Sequence, residues 1–164
     1  MKTLWLIGGP MGVGKTTVCQ QLKRDLPRAV FLDGDWCWDA DPFQVTEETK
    51  AMVLDNICHT LNNFLRCSVY ENVIFCWVMH QQAIIDTILA GLDREGCTVK
   101  CVSLLADREE LRKRLAADIE RGVRSAGVIG RSEERLPLYK FLSTVKVDTT
   151  GKTVRQVAGE LERL

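Results

Sequence analysis

The sequence predicts a single-domain α/β protein, a three-layer α/β/α sandwich around a five-stranded parallel sheet spanning residues 1–164. Three observations predict it. Five short apolar runs alternate with stretches of helical periodicity along the chain. The central runs are almost unbroken in apolar residues, as strands covered on both faces must be. The first run leads directly into Gly9-Pro10-Met11-Gly12-Val13-Gly14-Lys15-Thr16, which satisfies G-x-x-x-x-G-K-[ST] at every fixed position.

The elements follow in order. Residues 3–7 form the first apolar run. After the glycine motif, Val18, Leu22 and Leu26 recur at helical spacing, with Lys23, Arg24 and Asp25 on the other side. Further strands are predicted at 29–32, 72–78, 98–105 and 144–147. Between them, helical stripes run through Leu54, Ile57, Cys58, Leu61, Phe64 and Leu65, and through Ile84, Ile85, Ile88, Leu89 and Leu92. Others run through Leu111, Leu115 and Ile119, and through Val154, Val157, Ala158, Leu161 and Leu164. Asp107 with Glu110 and Thr153 with Gln156 have capping-box spacing, and Thr46 precedes two glutamates in a first turn. Strands alternating with helices imply right-handed β-α-β units. In such sheets ligands bind beyond the carboxyl ends of the strands, so the segments following each strand converge on one cleft.

Each fixed residue of the motif answers a demand of a nucleoside triphosphate. Glycines let successive N–H groups turn toward phosphate oxygens. Lys15 brings a positive charge to the β- and γ-phosphates, and Thr16 offers a hydroxyl to the accompanying magnesium. The helix starting near Gly14 points its positive end at the same anion. Together, residues Gly9 through Thr17 are expected to bind Mg-ATP.

Composition excludes other classes. There are 22 basic and 22 acidic residues, so no extended nucleic-acid surface is expected. No apolar stretch approaches the ~20 residues that span a bilayer, which argues against a membrane protein. The first residues are read as structure rather than as a cleaved leader. Seven cysteines with no C-x-x-C pair read as reduced, packed side chains and point to the cytoplasm. A monomer or homodimer is expected.

After the second strand, Asp33-Gly34-Asp35 puts two carboxylates two residues apart at the cleft mouth. Phosphoryl transfer to a hydroxyl needs one group to support magnesium and another to accept or orient the hydroxyl proton. The pair can divide those roles in either order; a solvated turn capped by Asp33 is the competing reading.

A phosphate loop followed by a strand ending in D-G-D resembles the small P-loop kinases: shikimate, gluconate and adenylylsulfate kinases and chloramphenicol phosphotransferase. The closing stretch Val147-Asp148-Thr149-Thr150-Gly151-Lys152-Thr153 is similar to the segment those enzymes place beside adenine. The resemblance covers essentially the whole chain. It implies the P-loop NTPase fold, transfer of the ATP γ-phosphate to a small-molecule hydroxyl, and Asp35 holding or deprotonating the acceptor. It also implies Asp33 on magnesium or as the base, and Thr150, Gly151 and Lys152 near the base of ATP. One feature departs from many P-loop enzymes. The strand at 72–78 is followed by Met79 and His80, with no carboxylate for magnesium, so that support falls on Thr16 and the Asp33/Asp35 pair. His80 either polarises the acceptor or caps a helix, and His59 reads as structural.

Between Asp107 and Leu136 lie seven arginines, with glycines at 122, 127 and 130. Residues 121–130 lack apolar periodicity, so a mobile lid is expected at about 120–131, between two helices. Such a lid excludes water and carries cations to the developing charge. Similar kinases stack one arginine on adenine and send another to the phosphates; Arg114 and Arg121 or Arg124 match those positions. Arg108 and Arg112 read as partners of Asp107, Glu109, Glu110 and Asp118 on a solvated face. Trp36, Trp38 and Phe43 follow the carboxylates and read either as an acceptor-pocket wall or as loop anchors.

The expected function is therefore an ATP-dependent small-molecule kinase, with a nucleoside monophosphate kinase as its nearest variant. A nucleotide switch would require D-x-x-G after the strand beside the phosphate loop. Asp93-Arg-Glu-Gly96 has that pattern but precedes the fourth strand. A non-catalytic ATP-binding module is the third possibility.

Overall fold

The computed structural model describes residues 1–164. Five strands, β1 (Lys2–Gly8), β2 (Ala29–Asp33), β3 (Asn72–Cys76), β4 (Cys97–Leu105) and β5 (Val145–Asp148), form one sheet in the order β2-β3-β1-β4-β5. Every pairing is parallel, and the register sets Ile7 and Asp33 beside Cys76. Six helices connect or cover the strands: α1 (Lys15–Asp25), α2 (Glu47–Arg66), α3 (Gln82–Ala90), α4 (Arg108–Glu120), α5 (Val128–Arg135) and α6 (Val154–Glu162). Short 3-10 turns follow β2 at Gly34–Cys37 and α5 at Leu136–Phe141.

The alternation of strand side chains explains the unbroken apolar runs. Trp5 and Ile7 point into one buried cluster with Val18, Leu22, Val157 and Leu161 of α1 and α6. Leu4 and Leu6 point into the other, with Val53, Ile57, Ile85 and Ile88 of α2 and α3. The two clusters lie on opposite faces, so β1 must be apolar at every position. Each fully buried leucine or isoleucine contributes about 1.5–3 kcal/mol relative to exposure.

The helix starts follow local chemistry. Thr153 and Gln156 form the reciprocal capping box that the spacing predicts. Asp107 caps α4 by accepting from the Glu110 N–H at 2.8 Å. At α2 the box is closed by Thr49 rather than by a glutamate.

Several boundaries differ from expectation. β3 stops at Cys76, so Trp77 and Val78 lie beyond the strand. β5 runs one residue later than predicted, with Thr144 outside it and Asp148 inside. Thr144 instead shares a 2.7 Å hydrogen bond with the buried Ser103 hydroxyl. The irregular segment between the two helices is shorter than the expected 120–131. The second helix, α5, begins at Val128 because Val128 and Ser132 are buried on one face, one helical turn apart. Only 121–127 remain irregular.

Candidate active site

The phosphate loop and the segments after β2 and β3 enclose a cleft of about 410 Å³ at the carboxyl end of the sheet. Its walls carry Lys15, Thr16, Asp33, Asp35, Arg121 and Arg124. Gly14 caps α1 with φ 94°, a conformation that L side chains rarely adopt, although nothing stands within 4 Å of a Cβ there. The requirement is thus purely backbone. From that turn, the unpaired N–H groups of α1 open toward the cleft.

Lys15 is half-buried. Its Nζ donates to the carbonyls of Gly9 at 2.8 Å and Pro10 at 3.0 Å. Burial lowers its pKa, and Arg124 adds to that; Cys76, Asp35 and Asp33 pull the other way. The loop is also braced from outside. Arg114 Nη1 donates to the Val13 carbonyl at 3.1 Å, and the buried Ser132 hydroxyl donates to the Met11 carbonyl at 3.1 Å.

The two carboxylates occupy different environments. Asp33 is 5% exposed and Asp35 is exposed. Thr16 Oγ1 donates to Asp33 Oδ2 at 2.6 Å, while Asp33 Oδ1 accepts the Asp35 N–H at 3.0 Å. One buried carboxylate therefore links the phosphate loop to the backbone that presents the second. Gly34 between them packs on Trp77, whose ring carbon would stand 2.5 Å from a Cβ. The D-G-D spacing thus records a close approach as well as a turn.

Helix α4 supplies a periodic wall: Arg114, Ala117, Asp118 and Arg121 all face the cleft at spacings of three and four. Asp118 holds both lid arginines, accepting from Arg121 Nη2 at 2.5 Å and Arg124 Nε at 3.0 Å. These bonds depress the Asp118 pKa, with Arg121 the largest cause. Sequence reasoning assigned Asp118 to Arg108 and Arg112. Instead Arg112 pairs with Glu133 of α5, and Arg108 forms no ion pair. Arg114 pairs with Glu110, as its i,i+4 spacing allows.

Beside the loop, between α1 and α6, lies a second cavity of about 340 Å³ lined by Gly12, Thr17, Arg114, Thr149, Lys152 and Val154 among others. Lys152 lines it and pairs with Glu160 at 2.8 Å. Thr150 and Gly151 do not line it; Thr150 Oγ1 instead accepts the Asp107 N–H at 2.9 Å, tying the β4 and β5 loops together.

Trp36 and Trp38 do not line the phosphate cleft. Trp36 packs edge-on against Phe31 at 5.2 Å, and Trp38 against Phe43 at 4.3 Å. His80 also lies outside the cleft wall. It is not a helix cap either, since Gln81 occupies the N-cap of α3 without a side-chain bond. Its Nδ1 is buried without a partner, and burial, aided by Arg135, lowers its pKa. His59 is exposed on α2.

Ser132 and Trp77 are contributors the sequence did not single out, and Asp118 was named only as a partner of Arg108 and Arg112. For Asp118 a signal existed: it sits four residues after Arg114 and three before Arg121.

Fold and loop together define a P-loop protein. A family model described as an AAA domain matches residues 6–136, and the chain belongs to that family. Among solved structures, the chain is similar to the tunicamycin resistance protein of Deinococcus radiodurans, at 22% identity and a TM-score of 0.76. That match covers 99% of this chain and 95% of the other. Shikimate kinase from Acinetobacter baumannii in complex with shikimate matches at 22% identity and TM-score 0.65, covering 99% and 92%. A gluconokinase from Sinorhizobium meliloti matches at 18% and 0.67, covering 96% and 88%. No curated protein sequence matches the chain significantly. No helix is long and apolar enough to cross a membrane.

Proposed function

We propose that the protein is an ATP-dependent phosphotransferase that moves the γ-phosphoryl group of ATP to a hydroxyl of a small molecule. The observation that carries this reading is the chain Thr16 Oγ1 – Asp33 – Asp35 N, at 2.6 and 3.0 Å, beside Lys15. It joins a phosphate-binding loop to an accessible carboxylate, the two parts a kinase site needs. Its structural similarity to a gluconokinase and a shikimate kinase supports it.

In this reading the α1 amide groups and Lys15 hold the β- and γ-phosphates, and the base of ATP occupies the cavity between Arg114 and Lys152. Magnesium fits the donor set. Thr16 and Asp33 offer two hard oxygens, and this ion ordinarily takes one or two carboxylates together with phosphate oxygens and water. No three-residue ligand cluster exists that would bind it alone. Held by Thr16 and Asp33, the ion would neutralise developing charge on the phosphates. Asp35 orients the acceptor hydroxyl and takes its proton as the new O–P bond forms and the bond to the β,γ-bridging oxygen breaks, leaving ADP. Arg121 and Arg124 leave Asp118 for the phosphates when nucleotide is present, which stabilises the charge that develops in the transition state.

A nucleotide switch is disfavoured by geometry. Asp93 and Gly96 sit with Met1 and Lys2 at the amino end of the sheet, opposite the phosphate loop. The test is incubation of the protein, magnesium and ATP with a cellular metabolite extract, read by mass spectrometry against Lys15→Ala. A Lys15-dependent gain of one phosphoryl group on an extract component is expected. ATP binding with no consumption would overturn the reading in favour of a non-catalytic module.

A further inference from the structure

The chain's charges balance overall but separate around the cleft. The donor side presents Lys15, Arg114, Arg121 and Arg124. Across from them, residues 29–49 contain six carboxylates (Asp33, Asp35, Asp39, Asp41, Glu47 and Glu48) and no lysine or arginine, and Lys50, which follows directly, pairs with Glu47 alone. This stretch leaves β2 at the cleft mouth and runs into α2, and all of 39–48 is exposed.

Two grooves follow it. One, of about 420 Å³, lies between the loop and α2, lined by Trp38, Asp39, Pro42 and Met52 among others. The second, of about 550 Å³, is lined by Trp36, Asp55 and His59 among others. They meet at Cys37 and Asn56, where Asn56 Nδ2 donates to the Cys37 carbonyl at 3.0 Å and ties the loop to the helix. No lysine or arginine lines either groove.

The surface here is also unusually apolar for its charge. Trp36, Phe43, Val45 and Met52 are 57%, 58%, 60% and 42% exposed, and Trp36 and Met52 each line one of the grooves. Exposed apolar side chains rimmed by polar groups suit a binding site. The grooves begin one residue beyond Asp35. Burial raises the Cys37 thiol pKa first, and the Asp33 and Asp35 carboxylates raise it further, so the groove floor lies within the field of the cleft.

The geometry points to a phosphoryl acceptor that is an organic cation: an apolar ring system carrying the reacting hydroxyl and a positive charge. Its rings seat against Trp36, Trp38 and Met52, and its charge faces the Asp39 and Asp55 carboxylates. This rests on the phosphotransferase reading and names the substrate class for it. Aromatic faces and unpaired carboxylates both attract a cation, and both repel an anion. A nucleoside monophosphate would bring its phosphate to a wall with no cation to receive it, which separates this chain from a nucleotide kinase.

Three indole alcohols test the charge: tryptophanol (cation), N-acetyltryptophanol (neutral) and indole-3-lactate (anion). Binding is measured by calorimetry, and transfer by mass spectrometry with Mg-ATP. Tryptophanol is expected to bind at least tenfold tighter than indole-3-lactate, with the neutral compound between them. Asp39→Asn/Asp55→Asn should shrink that gap below threefold while ATP binding, the check on folding, stays intact. Trp38→Ala should weaken all three together. Equal or tighter binding of indole-3-lactate overturns the proposal, as does a charge preference that survives the double substitution or binding of none. The predicted binding pattern with no Lys15-dependent phosphoryl gain overturns the phosphotransferase reading and leaves the groove assignment standing.

Discussion

In the proposed reading, the donor and acceptor sides of the cleft are built on opposite principles. The donor side rests on β1, α1 and α4, with a loop pinned by Arg114 and Ser132 and a lysine held by two carbonyls. The acceptor side is a run of exposed residues fastened at few points, among them the Asn56–Cys37 bond and the packing of Gly34 on Trp77. A triphosphate has the same shape wherever it binds, so its site can be rigid and local in sequence. An acceptor differs from enzyme to enzyme, and loop side chains on a fixed scaffold accommodate that variation.

The comparison can be broken first at Lys15. Lys15→Met should cut transfer by ~10²-fold or more, on the scale of losing one preorganised charge in the transition state. Yet the melting temperature should not fall. A lysine whose pKa is lowered by burial gives up stability at neutral pH, where it is charged in the unfolded chain, and an apolar side chain of similar length avoids that cost. A large drop in melting temperature would contradict the burial argument.

Next in size is Asp35→Asn. Turnover should fall by roughly 10²-fold, as for a lost general base, with nucleotide affinity preserved. Loss of ATP binding instead would move Asp35 to the donor side.

Gly34→Ala sharpens the boundary between the two. The added Cβ drives into Trp77, and a misplacement of order 1 Å can cost up to ~10²-fold. A fall in kcat of about tenfold is expected without change in ATP affinity. Unchanged kcat would show that the D-G-D geometry tolerates displacement.

The smallest effect belongs to Asp118. Its pKa is lowered in the folded protein, so its contribution to stability is full above the ordinary carboxylate range and fades as pH falls through the folded value. Asp118→Asn should therefore lose stability at pH 7 and flatten the acid side of a melting-temperature profile. Parallel profiles for wild type and variant would show that the arginine pairs contribute nothing measurable.

What was legible in the sequence follows the same division. The phosphate loop, the strand before it and the helix after it were readable because glycines, a lysine and 3.6-residue periodicity are local signals. β1 and β3 emerged because burial on both faces leaves no polar alternation to confuse them, whereas β5 is exposed at three of its four residues. Several other features depended on tertiary contacts. The start of helix α5 was placed too late because its one buried face, Val128 and Ser132, is short and interrupted by Gly130. Pairing of Arg112 with Glu133 crosses two helices, and no spacing rule predicts it. The order of Asp33 and Asp35 could not be read from D-G-D alone. The structure distinguishes them by burial and by the Thr16 bond, neither of which is a property of the tripeptide.

The division of the cleft is tested most directly by titrating Asp33→Asn and Asp35→Asn with a non-hydrolysable ATP analogue, with and without magnesium. The account predicts that Asp33→Asn loses most of the magnesium-dependent gain in affinity, while Asp35→Asn binds as wild type does. The reverse pattern, or equal losses in both, would contradict it.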